Sequence, residues 1–224
     1  MKLLPILARR RSVWLPTLWG WLVLCLLAAT LLVVAARNLY PFLAVNAPVG
    51  APVLVIEGWI DREGFDQALK AFRGGGYERV LVTGGPFEAW ARSEIYPSAA
   101  ERGAEYLRGK GLPGSRVFAV PGPAALTDRT FASAVAVRDW ARRSGLELRA
   151  IDVFSQGAHA RRSRLVFRLA FGPEVQVGVL AARSPGVDER WWRSARGARE
   201  VLDQAVALAW TVLFFHPPAG HTPE

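Results

Sequence analysis

Residues 52–83 read PVLVIEGWIDREGFDQALKAFRGGGYERVLVT, and in that order they hold a strand, a helix and a second strand. The runs 52–57 and 79–83 are unbroken β-branched and aliphatic stretches, too short for helices of ordinary length. The segment near 63–73 between them carries an amphipathic helical pattern. Strands that are apolar on both faces and are separated by crossover helices belong to parallel sheets covered on both sides.

The same alternation continues outward. A helix is expected near 97–109, a strand at 115–120 (SRVFAV), a helix near 129–143 and a strand at 148–154 (LRAIDVF). A helix near 159–170, a strand at 175–181 (VQVGVLA) and a terminal helix near 196–214 complete it. With right-handed crossovers this is an α/β fold, a three-layer αβα sandwich around a mostly parallel, Rossmann-like five-stranded sheet.

In such sheets ligands bind beyond the carboxyl ends of the strands, so the loops there hold the candidate residues. Glu57, Gly58 and Asp61 follow the first strand. Carboxylates at that place orient hydroxyls or bind a divalent ion, or simply bond their own loop. Thr83-Gly84-Gly85 follows the second strand and can bring backbone N–H groups close to an anion, although an ordinary strand-end turn has the same composition. The loop matches neither nucleotide-binding glycine fingerprint. Asp128 stands where it would cap the helix starting near Arg129, with Thr130 and Ser133 toward the crevice.

Ser155 follows the fourth strand, and His159 precedes ARRSRLVFR, where four arginines fall within eight residues. His159 and Arg162 are three apart at a helix start, on one side, where the helix dipole favours an anion. An imidazole there exchanges protons near neutrality. The competing reading is a solvated arginine-rich face. Glu101, inside the second crossover helix, is ambiguous on spacing alone. His216 and His221 have no partners at metal-ligand spacing, so no metal is assigned, and no cofactor is identified.

Ahead of this domain, Val13 to Ala36 are 24 residues without a charge, about 36 Å as a helix against a hydrocarbon thickness of about 30 Å. The run reads as a transmembrane helix with Trp14, Trp19 and Trp21 as interfacial anchors. It is longer than a signal-peptide core, the competing reading. Arg9, Arg10 and Arg11 precede it, so a cytoplasmic N-terminus over 1–12 is expected, with a stem at 37–51, an exocytoplasmic domain at 52–215 and a tail at 216–224. Of the formal net charge of +9, the first 50 residues carry +5 with no acidic residue, which argues against nucleic acid as a partner. The one cysteine, Cys25, lies inside the apolar run. The C-terminal stretch VLDQAVALAWTVLFF (201–215) is too short to cross a membrane once Asp203 and Gln204 interrupt it. Packing on the sheet is the first expectation, with a membrane-surface helix and a second span as alternatives.

Taken in order behind one apolar helix, these loops resemble the YdcF-like envelope family, which includes the SanA and ElyC proteins and is also called domain of unknown function 218. The likeness covers residues 52–181. Thr83-Gly84-Gly85 resembles the family's Ser/Thr-Gly-Gly loop. ERGAEYLRGKGLP, from Glu101 to Pro113, is similar to its glutamate motif. DRTFASA puts Thr130 on a family threonine and Ser133 in the place of an asparagine. VFSQGAHARR puts Ser155, His159 and Arg162 on the last motif, with one residue more than usual between the serine and the histidine.

The resemblance implies a membrane-anchored cell-envelope protein of the inner (cytoplasmic) membrane, in cell-wall biogenesis, that binds a phosphorylated glycan or polyprenyl carrier. Hydrolysis or transfer of that ligand would use His159, Glu101 and Glu57. A non-enzymatic scaffold and a nucleotide- or S-adenosylmethionine-binding domain are the alternatives.

Overall fold

The computed structural model describes residues 15–87 and 96–218. Its contacts divide the chain into two compact units, Met1–Arg37 and Asn38–Glu224. The expected N-terminal segment 1–12, the arginines within it, Trp14 and His221 lie outside the described residues.

Helix α1 (Leu18–Leu43) has a mean hydropathy of 2.5 over its most apolar window and is long and apolar enough to cross a membrane once. It runs seven residues past the expected end at Ala36. Pro41 falls in its last turn, where the Ala44 N–H still donates to the Tyr40 carbonyl at 2.8 Å, and Leu43 is buried in the second unit. Burial of Leu43 holds that turn in place, so the first part of the expected stem is helical.

The second unit is an α/β sandwich on a five-stranded sheet. Its strands are β1 (Val53–Glu57), β2 (Arg79–Gly84), β3 (Val117–Pro121), β4 (Ala150–Gln156) and β5 (Gln176–Ala182). They lie in the order β3-β2-β1-β4-β5, and every neighbouring pair is parallel. Between them run α2 (Arg62–Gly74), α3 (Ala99–Gly109), α4 (Arg129–Arg143) and α5 (Ala160–Phe171), and α6 (Ala195–Leu213) follows β5.

The period-two alternation of the strands explains the layering. Val53, Val55 and Leu81 pack with Phe131, Val166 and Phe167 of α4 and α5. Leu54, Ile56, Val80 and Val82 pack with Phe65, Leu69 and Leu107 of α2 and α3. Each such side chain contributes about 1.5–3 kcal/mol by leaving water.

Residues 44–52 are laced to the edge of the sheet. Ala47 and Val179 of β5 exchange backbone hydrogen bonds of 2.8 and 3.1 Å, and Ala181 N–H donates to Asn46 Oδ1. Asp152 of β4 is fully buried. It accepts from Val49 N–H at 2.8 Å, Ala51 N–H at 3.2 Å and the Tyr77 hydroxyl at 3.0 Å. Burial and the Asp152 carboxylate both push the Tyr77 phenol pKa upward.

Two expectations shift. β3 starts at Val117 because Gly114–Arg116 form a 3₁₀ turn. Helix α6 packs on α5 and on the Gly157–His159 turn rather than on the sheet, with Phe215 closing against Phe131.

Candidate functional site

The chain reverses its direction of progress across the sheet between β1 and β4, and the crevice at such a switch point is the usual ligand site. The strand register puts Glu57 beside Thr83, and Ile56 beside Phe154, the residue before Ser155. Three strand ends therefore bring a carboxylate and two hydroxyls together. The chain turns away from β1 at Gly58, whose N–H donates to the Thr83 carbonyl at 2.6 Å. A Cβ there would stand 2.7 Å from the Ala99 carbonyl oxygen, so this close approach needs glycine.

Glu57 is buried at the base of a polar chain. Ser163 Oγ–H donates to Glu57 Oε2 at 2.8 Å, and His159 Nδ1 lies 2.6 Å from Ser163 Oγ and 3.4 Å from Glu57 Oε2. Ser155 Oγ stands 3.2 Å from both His159 Nδ1 and Ser163 Oγ. On the other side of the ring, Arg162 Nη2 approaches His159 Nε2 at 2.5 Å. Guanidinium only donates. The ring in this arrangement is therefore neutral, with its proton on Nδ1 and a path from Nδ1–H through Ser163 to Glu57. A ring released from Arg162 could take a proton at Nε2, and Glu57 would then face an imidazolium.

Burial alone raises the Glu57 pKa. The positive charge that His159 carries once protonated, together with hydrogen bonds from His159, Ser155 and Ser163, outweighs it and holds the carboxyl below its usual 4.5. Burial lowers the Arg162 pKa, while the Glu57 and Asp128 carboxylates push it back up. A folded-state pKa below the unfolded one contributes stability above pH 4.5 that is lost as pH falls through the folded value. Thermal melts of the wild type are expected to drop below pH 4.5, and Glu57→Gln is expected to flatten that acid limb. Parallel acid limbs in the two proteins would refute the assignment.

Glu57, Thr83, Gly84, Gly85, Asp128, Thr130, Ser133, His159 and Arg162 line one cleft of about 980 Å³. Two helices begin in its wall without a side-chain cap: α4 at Asp128 and α5 at His159. By contrast Asp61, Ser98 and Ser194 cap α2, α3 and α6. Helix starts favour an anion, although α5 continues the Gly157–His159 turn and its Ala160 N–H already donates to the Gly157 carbonyl. Asp128 is not the cap expected of it. It adopts the left-handed conformation at φ 52°, and its carboxylate raises the Arg162 pKa across the cleft.

The remaining expected residues lie elsewhere. Glu101 serves α3, accepting from Ser98 Oγ–H at 2.7 Å while its own N–H donates to Ser98 Oγ. This reciprocal cap uses the carboxylate locally. Asp61 caps α2 through Gly64 N–H and accepts from Gln156 Nε2. Ser155 and Gly58 stand behind the cleft wall rather than in it. Among the described residues no group of three or more His, Cys, Asp or Glu is placed to hold a metal ion.

Sequence reasoning missed four contributors. Ser163, four residues after His159, follows from helical spacing alone. Trp59 sets its ring edge-on to His159 at 4.8 Å. Gln204 of α6 accepts from Arg162 Nε at 3.3 Å, and Trp210 lines the cleft. Neither α6 residue has a local signal, because both depend on where the helix docks. Comparison of the chain with protein-family models, curated proteins and solved structures finds no match.

Proposed function

We propose that the switch-point cleft binds an anionic, phosphate-bearing ligand. The observation that carries this reading is the convergence of Arg162 and the N-terminal ends of α4 and α5 on one cleft. Gly84-Gly85 supplies a wall without side chains, and the Glu57–Ser163–His159 relay can receive or return a proton at Nε2. A parallel sheet with this strand order suits a nucleotide or nucleotide-derived cofactor as well as a phosphorylated glycan or lipid carrier. The three share phosphate chemistry.

The motif resemblance to the YdcF-like family supports the envelope source. Thr83–Gly85, Thr130, Ser133, His159 and Arg162 all reach the cleft, whereas Glu101 does not and drops from the catalytic set. Under this reading the chain is a divergent member of that family, held in the inner membrane by α1, with residues before α1 in the cytoplasm and the domain outside.

The test is a binding screen of the full chain in detergent against nucleotides, S-adenosylmethionine, nucleotide sugars and polyprenyl phosphates, with product release followed separately. Arg162→Ala is expected to weaken binding about 10- to 100-fold, the loss of a charge-assisted contact. His159→Ala is expected to abolish product release while leaving most of the affinity. Saturable binding with no product from the wild type assigns a binding module. Absence of binding across the phosphorylated set overturns the reading.

A further inference from the structure

Helix α6 carries two apolar faces, and the domain covers only one of them. Val201, Leu208 and Thr211 are buried against the domain, and Gln204 bonds Arg162 of α5. On the opposite side Leu202, Ala205, Val206, Ala209 and Leu213 follow the i, i+3, i+4, i+7, i+11 spacing of one continuous stripe. Leu202 is 49% exposed, Val206 69% and Leu213 66%. Val212 and Phe214 extend the surface at 65% and 63%. No charged residue occurs from Gln204 to Phe215. A helix apolar all round is normally buried on all sides, and a contiguous exposed patch of this size marks a docking surface.

We propose that the C-terminal half of α6 lies in the interface of a lipid bilayer. The occupant follows from three features of the second unit. The first is tethering. Leu43, at the end of α1, is buried in this unit and residues 46–51 are bonded to β4 and β5, so the place where the chain enters the domain is fixed. The second is position. Arg161 of α5 stacks its guanidinium over Phe42 at 3.9 Å and donates Nε–H to the Phe42 carbonyl. The next residue, Arg162, bonds Gln204 of α6. Helix α6 and Phe42 therefore both pack on the first turn of α5.

The third is composition. Trp210 stands at the border between the stripe and the cleft, 47% exposed, and Arg196 and Arg199 flank the stripe in the first turns. Aromatic border residues, basic flanks and an apolar stripe are the make-up of an interfacial helix. Val206 and Trp210 also line the cleft, and the fully exposed Leu126 stands on its wall as well. The cleft mouth therefore opens at the depth of the lipid headgroups. This surface does not depend on which ligand the cleft takes.

The test uses the full chain with Cys25→Ser and one introduced cysteine at a time: Val206→Cys, Leu213→Cys, or Glu147→Cys as a polar control. Each is labelled with an environment-sensitive fluorophore and reconstituted into nanodiscs of phosphatidylcholine and phosphatidylglycerol, with or without doxyl-labelled lipid. Labels at 206 and 213 are expected to emit blue-shifted and to be quenched by the doxyl lipid several-fold more than the label at 147. Blue-shifted but unquenched labels mean that protein, such as a second copy of the chain, covers the stripe. Red emission means that water does. Either result overturns the proposal, as does quenching equal to that at 147.

Discussion

Asp152→Ala is expected to cost more stability than any other single change away from the cleft. The carboxylate is the acceptor for three donors, and the substitution strands two backbone N–H groups and a phenol in a buried place. Each orphaned group costs about 1–3 kcal/mol, so a loss of roughly 3–5 kcal/mol is expected. Gly178 is part of the same arrangement. A Cβ on it would lie 1.9 Å from Asp152 Oδ1, so the carboxylate sits where only glycine leaves room. Denaturant titration of the full chain in detergent measures the loss. Asp152→Asn keeps one acceptor oxygen and is expected to fall between alanine and wild type. A change under 0.5 kcal/mol for alanine would show that residues 46–51 are held by other contacts.

Glu57→Ala is the second large effect and is expected to destabilise by about 3–5 kcal/mol, the usual result of removing one member of a buried charged network. Ser163 loses its acceptor and His159 loses the group that fixes its Nδ1 proton. The substitution is expected to abolish any proton transfer at Nε2 even at temperatures where the protein remains folded. Ser163→Ala separates the two consequences. It breaks the relay while Glu57 stays 3.4 Å from His159 Nδ1, so it is expected to cost less stability than Glu57→Ala. Equal stability of Glu57→Ala and wild type, measured by the same titration, would remove the network from the account of the fold.

Much of this architecture was legible in residues 52–181. The strands are short unbroken apolar runs and the crossover helices are amphipathic, so local pattern and tertiary burial agree. The two-residue shift of β4 to Ala150–Gln156 left Ser155 and His159 at the end where they were sought. Residues from different strand ends met as expected because parallel order alone sends all those ends to one side.

Illegible features depend on docking or on competition between local bonds. Nothing in Gln204 or Trp210 announces that α6 lies across α5 rather than on the sheet. Glu101 matched a motif, yet the Ser98-x-x-Glu101 spacing was itself a cap signature, and the local bond took the carboxylate. Asp128 had the residue type of a cap, but its left-handed backbone leaves the side chain no bond to the helix it precedes.

The lacing of residues 46–47 to β5 also bears on self-association. A strand with unpaired N–H and C=O groups is a template for another chain. Among the described residues, Ala47 and Asn46 occupy bonding positions on β5, which leaves β3 as the edge with no neighbour. β3 is five residues long and ends at Pro121, which has no N–H to offer, and Pro123 follows two residues later. An incoming strand would therefore find a short ladder that stops at a proline. Edge-to-edge polymerisation of the sheet is blocked on one side by the chain's own approach to the fold and discouraged on the other by its composition.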